Sequence, residues 1–278
     1  MQRVAAVAAV FAGGIVAAAA VAPSKPTRAA PAAVARASRA VNITLSNTAL
    51  PSASGGPFLT GEASVLAWNG TYYLYMNDWG GCAGVDCCDS PGGCASCCFN
   101  PPTSRYPDAC VYTNNHSVMA YASTDLMSWQ YLGVALPLSS RRVGIEFRPQ
   151  VVYCAATAQY VMWYEDRWAG QDGYAVAVSS TAAGPFVTVN DTVVMQGNGR
   201  VGDFALFVDD DGVAYHVRTG LVVERLTADY LRPDGTYYNV SNPSVEAPTL
   251  FKRDGQYYML AGVGCCACLG GSDVQVYT

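Results

Sequence analysis

Four acidic residues recur at matched places in this sequence. Asp203 precedes Gly212 by nine positions, Glu246 precedes Gly255 by nine, and Glu62 precedes Gly70 by eight. Glu146 stands just ahead of Phe147-Arg-Pro-Gln150. Carboxyls that converge on one site can cleave a glycosidic bond. One gives its proton to the leaving oxygen, while another group activates water on the opposite face. An enclosed site raises one carboxyl pKa through desolvation and neighbouring negative charge. Arg148 can hold a second carboxylate ionised or bind a sugar hydroxyl. A lone acid ahead of a strand is ordinarily a solvated turn or cap residue, and Asp209, Asp210 and Asp211 read that way. The recurrence at matched offsets is what points to a site.

Acids so far apart in sequence meet only if repeated elements bring them together. Four segments look alike: Asn69-Gly-Thr-Tyr-Tyr-Leu-Tyr75, Ala158-Gln-Tyr-Val-Met-Trp-Tyr164, Asp211-Gly-Val-Ala-Tyr-His-Val217 and Asp254-Gly-Gln-Tyr-Tyr-Met-Leu260. Three start with Asn-Gly or Asp-Gly, a strong hairpin signal. Apolar runs precede them at 63–68, 149–153, 204–208 and 248–251. Third strands are predicted at 118–123, 174–179 and 222–226, and fourth strands at 130–134 and 187–189. Tyr160 and Ala214 are 54 residues apart, and Ala214 and Tyr257 are 43 apart. Tyr72 and Tyr160 are separated by 88 because a cysteine-rich insertion at 80–115 interrupts the first unit. Units of about 40–55 residues with four strands each predict an all-β fold, a β-propeller, over residues 45–278. In such a ring the first strand of each blade lines the central channel. A β-sandwich also has many short strands, but it does not require one strand–turn–strand signature to recur four times.

The remaining composition speaks to context. Hydrophobic residues make up 51% of the 278, charged residues 13%, and the formal charge is −5. Disorder and a basic nucleic-acid surface are both disfavoured; a neutral polar partner such as a polysaccharide fits better. Residues 1–22 read as a signal peptide: a short basic start, then an uncharged run of small residues. Residues 23–44 read as a linker or a transit-like segment. No later stretch is long and apolar enough to span a membrane. Eleven cysteines, seven of them between Cys82 and Cys110, suit disulfides in an oxidising compartment. Zinc ligation at Cys94-x-x-Cys97 is the rival reading. Cys265, Cys266 and Cys268 cluster near the C-terminus, and Cys154 stands alone. Five sequons, at Asn42, Asn69, Asn115, Asn190 and Asn239, agree with export. The expectation is a secreted monomer with no cofactor and no bound metal. His216 falls on a strand and reads as a polar core or channel residue rather than a ligand.

With these features in place, the sequence resembles glycoside hydrolase family 43, and within it the galactan 1,3-β-galactosidase-like branch. The resemblance rests on Gly202-Asp-Phe-Ala-Leu-Phe-Val-Asp-Asp-Asp-Gly212 with Ala214-Tyr215, and on Val245-Glu-Ala-Pro-Thr-Leu-Phe-Lys-Arg-Asp-Gly255 with Tyr257-Tyr258. Arg148-Pro149 with Tyr160-Val-Met-Trp163, and Ser123-Thr-Asp-Leu126 with Trp129, add to it. It implies a five-bladed propeller and an exo-acting, inverting hydrolase. By resemblance Glu246 is the general acid, and Asp203 the carboxylate that orients it and tunes its pKa. Arg148, Glu62 and Glu146 are implied as substrate-binding residues. Glu62 stands where the branch often has His. The branch carries an acid directly before its Arg-Pro; here Phe147 stands there and Glu146 lies one residue earlier. No acid occupies the general-base place of the wider family in blade one, and the branch can use an amide from its last blade instead. The sequence ends part-way through a fourth unit, which predicts an open ring of low stability and weak activity. The alternative function is a non-catalytic glycan-binding or cell-surface module on the same fold, with Trp79 and Trp168 stacking on sugars.

Overall fold

The computed structural model describes residues 62–78, 116–168, 171–240, 245–263 and 273–278, with three short strands before them. The strands, in chain order, are β1 (Ala9–Phe11), β2 (Gly14–Val16), β3 (Ala53–Ser54), β4 (Ala63–Trp68), β5 (Thr71–Asp78), β6 (Ser117–Ser123) and β7 (Trp129–Leu136). They continue as β8 (Ile145–Cys154), β9 (Gln159–Trp168), β10 (Gln171–Ser179), β11 (Val187–Asn190), β12 (Phe204–Val208), β13 (Ala214–Arg218), β14 (Val222–Leu226) and β15 (Pro233–Asn239). Last come β16 (Val245–Arg253), β17 (Gln256–Val263) and β18 (Val274–Tyr277). Apart from the hairpin β1–β2, the expected leader and linker lie outside the described residues, as do Trp79, the cysteine-rich insertion and the C-terminal cysteines. Cys154 is a buried free thiol.

The strands form four antiparallel sheets arranged as propeller blades. Blade one is β4-β5-β6-β7, with β3 added in parallel at its outer edge. Blades two and three are β8-β9-β10-β11 and β12-β13-β14-β15, and blade four is β16-β17-β18. The innermost strands β4, β8, β12 and β16 lie against one another in that order. Five strands escaped the sequence reading: β1, β2, β3, β15 and β18. β3 has only two residues, and β15 contains Pro233 and Gly235, which read as a loop.

Each blade is covered on both faces, and the period-2 geometry of a strand shows how. On β9, Met162 and Tyr164 pack into the core shared with blade one, beside Leu66, Tyr75 and Leu136. The alternate residues Val161 and Trp163 pack into the core shared with blade three, beside Phe204, Leu206 and Val208. Both faces need apolar residues, so the middle strands read as unbroken hydrophobic runs rather than alternating ones. A third core, with Val217, Val223, Val245, Met259 and Ala261, joins blades three and four.

Aromatic tips then fasten blade to blade. The Tyr75 hydroxyl donates to the Ala182 carbonyl at 2.7 Å, and Trp163 Nε1–H to the Tyr230 carbonyl at 2.8 Å. Lys252 of blade four reaches Asp209 of blade three at 2.8 Å. Asn69-Gly70 and Asp254-Gly255 both carry positive φ at their two central residues, the conformation of a tight hairpin turn.

Candidate active site

β8 and β16 share a local irregularity that shapes the site. In blade two the pairing steps from Phe147↔Glu165 to Gln150↔Trp163, so Arg148 and Pro149 oppose a single residue. In blade four it steps from Glu246↔Gly262 to Thr249↔Leu260, so Ala247 and Pro248 do the same. Arg148 and Ala247 both have left-handed backbone, with φ of 52° and 49°. These are β-bulges, which bend a strand and re-aim the side chains beside them. The bulge in β8 turns Arg148 toward the inner end of the ring.

There the guanidinium meets acids from other blades. Its Nε lies 2.6 Å from Asp203 Oδ1, just ahead of β12, and 3.5 Å from Glu62 Oε1, just ahead of β4. The Arg148 backbone N–H also donates to Glu62 Oε2 at 2.8 Å. The charge of Glu246 acts on Arg148 as well, as does that of Glu165. This acidic company holds the guanidinium above its ordinary pKa despite the cost of burial. Burial raises the Glu62 carboxyl, the Asp203 charge adds to the rise, and Arg148 opposes it. The side chains of Glu62 and Asp203 each keep 21% exposure and that of Arg148 16%, so the cluster is deep yet open to solvent.

The backbone on either side holds these groups in place. Tyr174 donates its hydroxyl to the Gly202 carbonyl at 2.7 Å and accepts the Gly202 N–H at 3.0 Å, pinning the residue before Asp203. The Thr219 N–H donates to the Asp203 carbonyl at 2.8 Å. The Asn77 N–H reaches the Glu62 carbonyl at 3.3 Å.

The structure thus gathers Glu62 and Asp203 around the Arg148 cation, on which the charge of Glu246 also acts. It places Glu146 elsewhere. Strand alternation turns Glu146 to the other face from Phe147, where it is fully buried against blade one. His116 Nε2 accepts the Glu146 backbone N–H at 3.1 Å, and Asn77 Nδ2 donates to the Glu146 carbonyl at 3.2 Å. Burial pushes the Glu146 carboxyl up to about 8, with Arg141 opposing. Burial also drives His116 down to about 3, so both groups are neutral near pH 7. The expected sugar contact of Glu146 is not available from this closed position. One acid went unnoticed in the sequence: Glu165 on β9, directly across from Phe147 and 6% exposed. Among the described residues, no group of three or more His, Cys, Asp or Glu side chains is disposed to hold a metal ion.

Arg148→Met tests the shared cation. It leaves Glu62 and Asp203 facing each other without a counter-charge. A fully buried pair broken this way costs about 3–5 kcal/mol, and the residual exposure lowers the expected loss to about 2 kcal/mol. The loss should vanish in melts at acid pH, where both acids are protonated. A melting difference that is the same at every pH would remove the cation from this role. Arg148→Lys should recover only part, because an ammonium on a flexible stem lacks the rigid planar fork of the guanidinium.

Residues 99–276 match the family described as Glycosyl hydrolases family 43. Among solved structures, the chain is similar to exo-beta-1,3-galactanase from Phanerochaete chrysosporium, at 20% identity and a TM-score of 0.57, over 78% of this chain and 47% of that one. It is similar to an exo-beta-1,3-galactanase from Clostridium thermocellum at 26% identity and 0.56, over 81% and 49%. It is also similar to an alpha-L-arabinofuranosidase from Clostridium thermocellum at 22% and 0.53, over 77% and 67%. The chain spans about half the length of the two galactanase chains. No curated protein sequence matches it. A family match over more than half of the sequence, on a propeller whose blades gather acids around one arginine, establishes that the chain belongs to glycosyl hydrolases family 43.

Proposed function

We propose that this protein is an exo-acting, inverting hydrolase of β-1,3-galactan or a related galactose- or pentose-containing polysaccharide. One observation carries the reading: Arg148 of blade two pairs with Glu62 of blade one and Asp203 of blade three, and the charge of Glu246 of blade four acts on it as well. Glu246 gives its proton to the departing glycosidic oxygen. Asp203, held against Arg148, keeps a fixed negative charge beside that acid and orients it. Arg148 and Glu62 bind hydroxyls of the terminal sugar. Water attacks from the opposite face, which requires about 6.5–9.5 Å between the proton donor and the group that activates the water. The leader-like N-terminus and the exposed Asn69 sequon at a hairpin tip fit a route through the secretory pathway.

Incubation of the chain with β-1,3-galactan, followed by proton NMR, tests the function. The expected product is free galactose, first formed as the α-anomer. Binding of the polysaccharide with no release of monosaccharide would favour a glycan-binding module instead. A β-anomer formed first would overturn inversion alone.

A further inference from the structure

The four blades present equivalent residue pairs at the inner end of the ring. Glu62 stands against Asn77, Phe147 against Glu165, Asp203 against Thr219, and Glu246 against Gly262. In three pairs the acid belongs to the innermost strand. In blade two the innermost strand offers an aromatic ring, and the acid sits on the next strand out. Residues directly opposed in an antiparallel pair share a face, with Cβ atoms about 4.5–5.5 Å apart. A carboxyl at 165 therefore reaches the same ring of acids as one at 147 would.

We propose that Glu165 is the blade-two acid of this site, a neutral carboxyl that lets the surrounding acids share Arg148 and offers its O–H to the sugar. Charge counting requires a proton in the cluster. Glu62, Asp203, Glu165 and Glu246 all act on the single guanidinium of Arg148. Even with Glu246 protonated, one cation cannot offset the three carboxylates of Glu62, Asp203 and Glu165 in a partly closed site, and a proton settles where ionisation costs most. That place is the deepest acid: Glu165 is 6% exposed. Burial first, then the charges of Glu62 and Asp203, push its carboxyl up to about 8, while Arg148 pulls it down and Asp172 of β10 adds a little. On its other side stands Tyr174 of β10, whose hydroxyl is committed to Gly202. Near pH 6, Glu165 is therefore a hydrogen-bond donor among acceptors. A rise in pH through about 8 ionises it and sets a further negative charge against Glu62 and Asp203. Its contact with sugar rests on the hydrolase reading above; its proton does not.

Two measurements on the full chain separate these claims. In protein labelled with 13C at the glutamate carboxyls, Glu165→Gln should remove one resonance that titrates near pH 8, leaving that of Glu146. If the resonance lost titrates in the ordinary glutamate range, the proton assignment is overturned. On β-1,3-galactan, Glu165→Gln mimics the neutral acid. Between pH 6 and pH 9 its kcat/KM should fall less steeply than that of the wild type, because the ionisation at position 165 is removed. Glu165→Leu, with a wild-type circular dichroism spectrum, should lose about tenfold at pH 6, the scale of one hydrogen bond. A Leu variant that matches wild type across the pH range, or a Gln variant with an unmoved alkaline limb, overturns the sugar contact. If the wild type itself releases no sugar, the hydrolase reading falls and the contact with it, while the NMR midpoint still decides the proton.

Discussion

Glu246→Gln should cut galactose release from β-1,3-galactan by about 10²–10⁴-fold, the usual contribution of a positioned general acid. Glutamine keeps the size of the side chain but has no proton to give the leaving oxygen. The fold gives little reason for a structural loss. Glu246 is only partly buried on β16, and the bulge that follows it is formed by Ala247 and Pro248, which the substitution leaves alone. Melting temperature should therefore stay near wild type. The leaving group provides the sharper test. A nitrophenyl β-galactoside departs as a stabilised anion and needs little protonation, so its hydrolysis should suffer far less than that of the polysaccharide. Equal losses on both substrates would give Glu246 a binding role instead. Unchanged galactan hydrolysis would remove it from the mechanism.

The sequence carried the blades well because their physics is local. Asn69-Gly70 and Asp254-Gly255 announce tight turns, and runs such as Phe204–Val208 are apolar throughout because both faces are covered. The acids at the starts of β4 and β12, and Glu246 on β16, were legible for the same reason: repeats place equivalent residues at equivalent radii. Glu165 was not. It ends the run Tyr160-Val-Met-Trp-Tyr-Glu165, which reads simply as a strand. Its place in the site depends on the exact register of β8 against β9, and that register shifts by one residue at Arg148-Pro149. The available signal was the pair Glu165-Asp166 in an otherwise apolar strand, together with an aromatic where the other blades carry acids. Glu146 misled for the complementary reason. Nearness to Arg148 in sequence suggested nearness in the site, but alternate residues on a strand face opposite ways.

Blade three depends on a buried ion pair. Glu224 on β14 and Arg218 on β13 are buried side chains in direct contact through Arg218 Nη1. Glu224 also accepts the N–H groups of Gln196 and Gly197 at 2.9 and 3.0 Å, and Arg218 Nη2 donates to the Gly197 carbonyl at 2.6 Å. The pair thus fastens the connection between β11 and β12, the segment that leads into Asp203. The approach is so close that a Cβ on Gly199 would stand 2.9 Å from Arg218 Nε. Glu224→Ala removes the acceptor for a buried cation and for two amides together. Breaking a buried pair from one side costs about 3–5 kcal/mol, a melting decrease of about 10 °C for a domain of this size. Arg218→Met combined with Glu224→Ala should recover part of that loss by removing the stranded charge. Recovery should stay incomplete because the two amides still lack an acceptor. Urea unfolding of the two single variants and the double variant measures the coupling. A Glu224→Ala curve that overlays wild type would mean that the connection is held by other contacts. If the loss is as large as expected, galactan hydrolysis should fall even at temperatures where the variant stays folded, because the segment that aims Asp203 at Arg148 has lost its anchor.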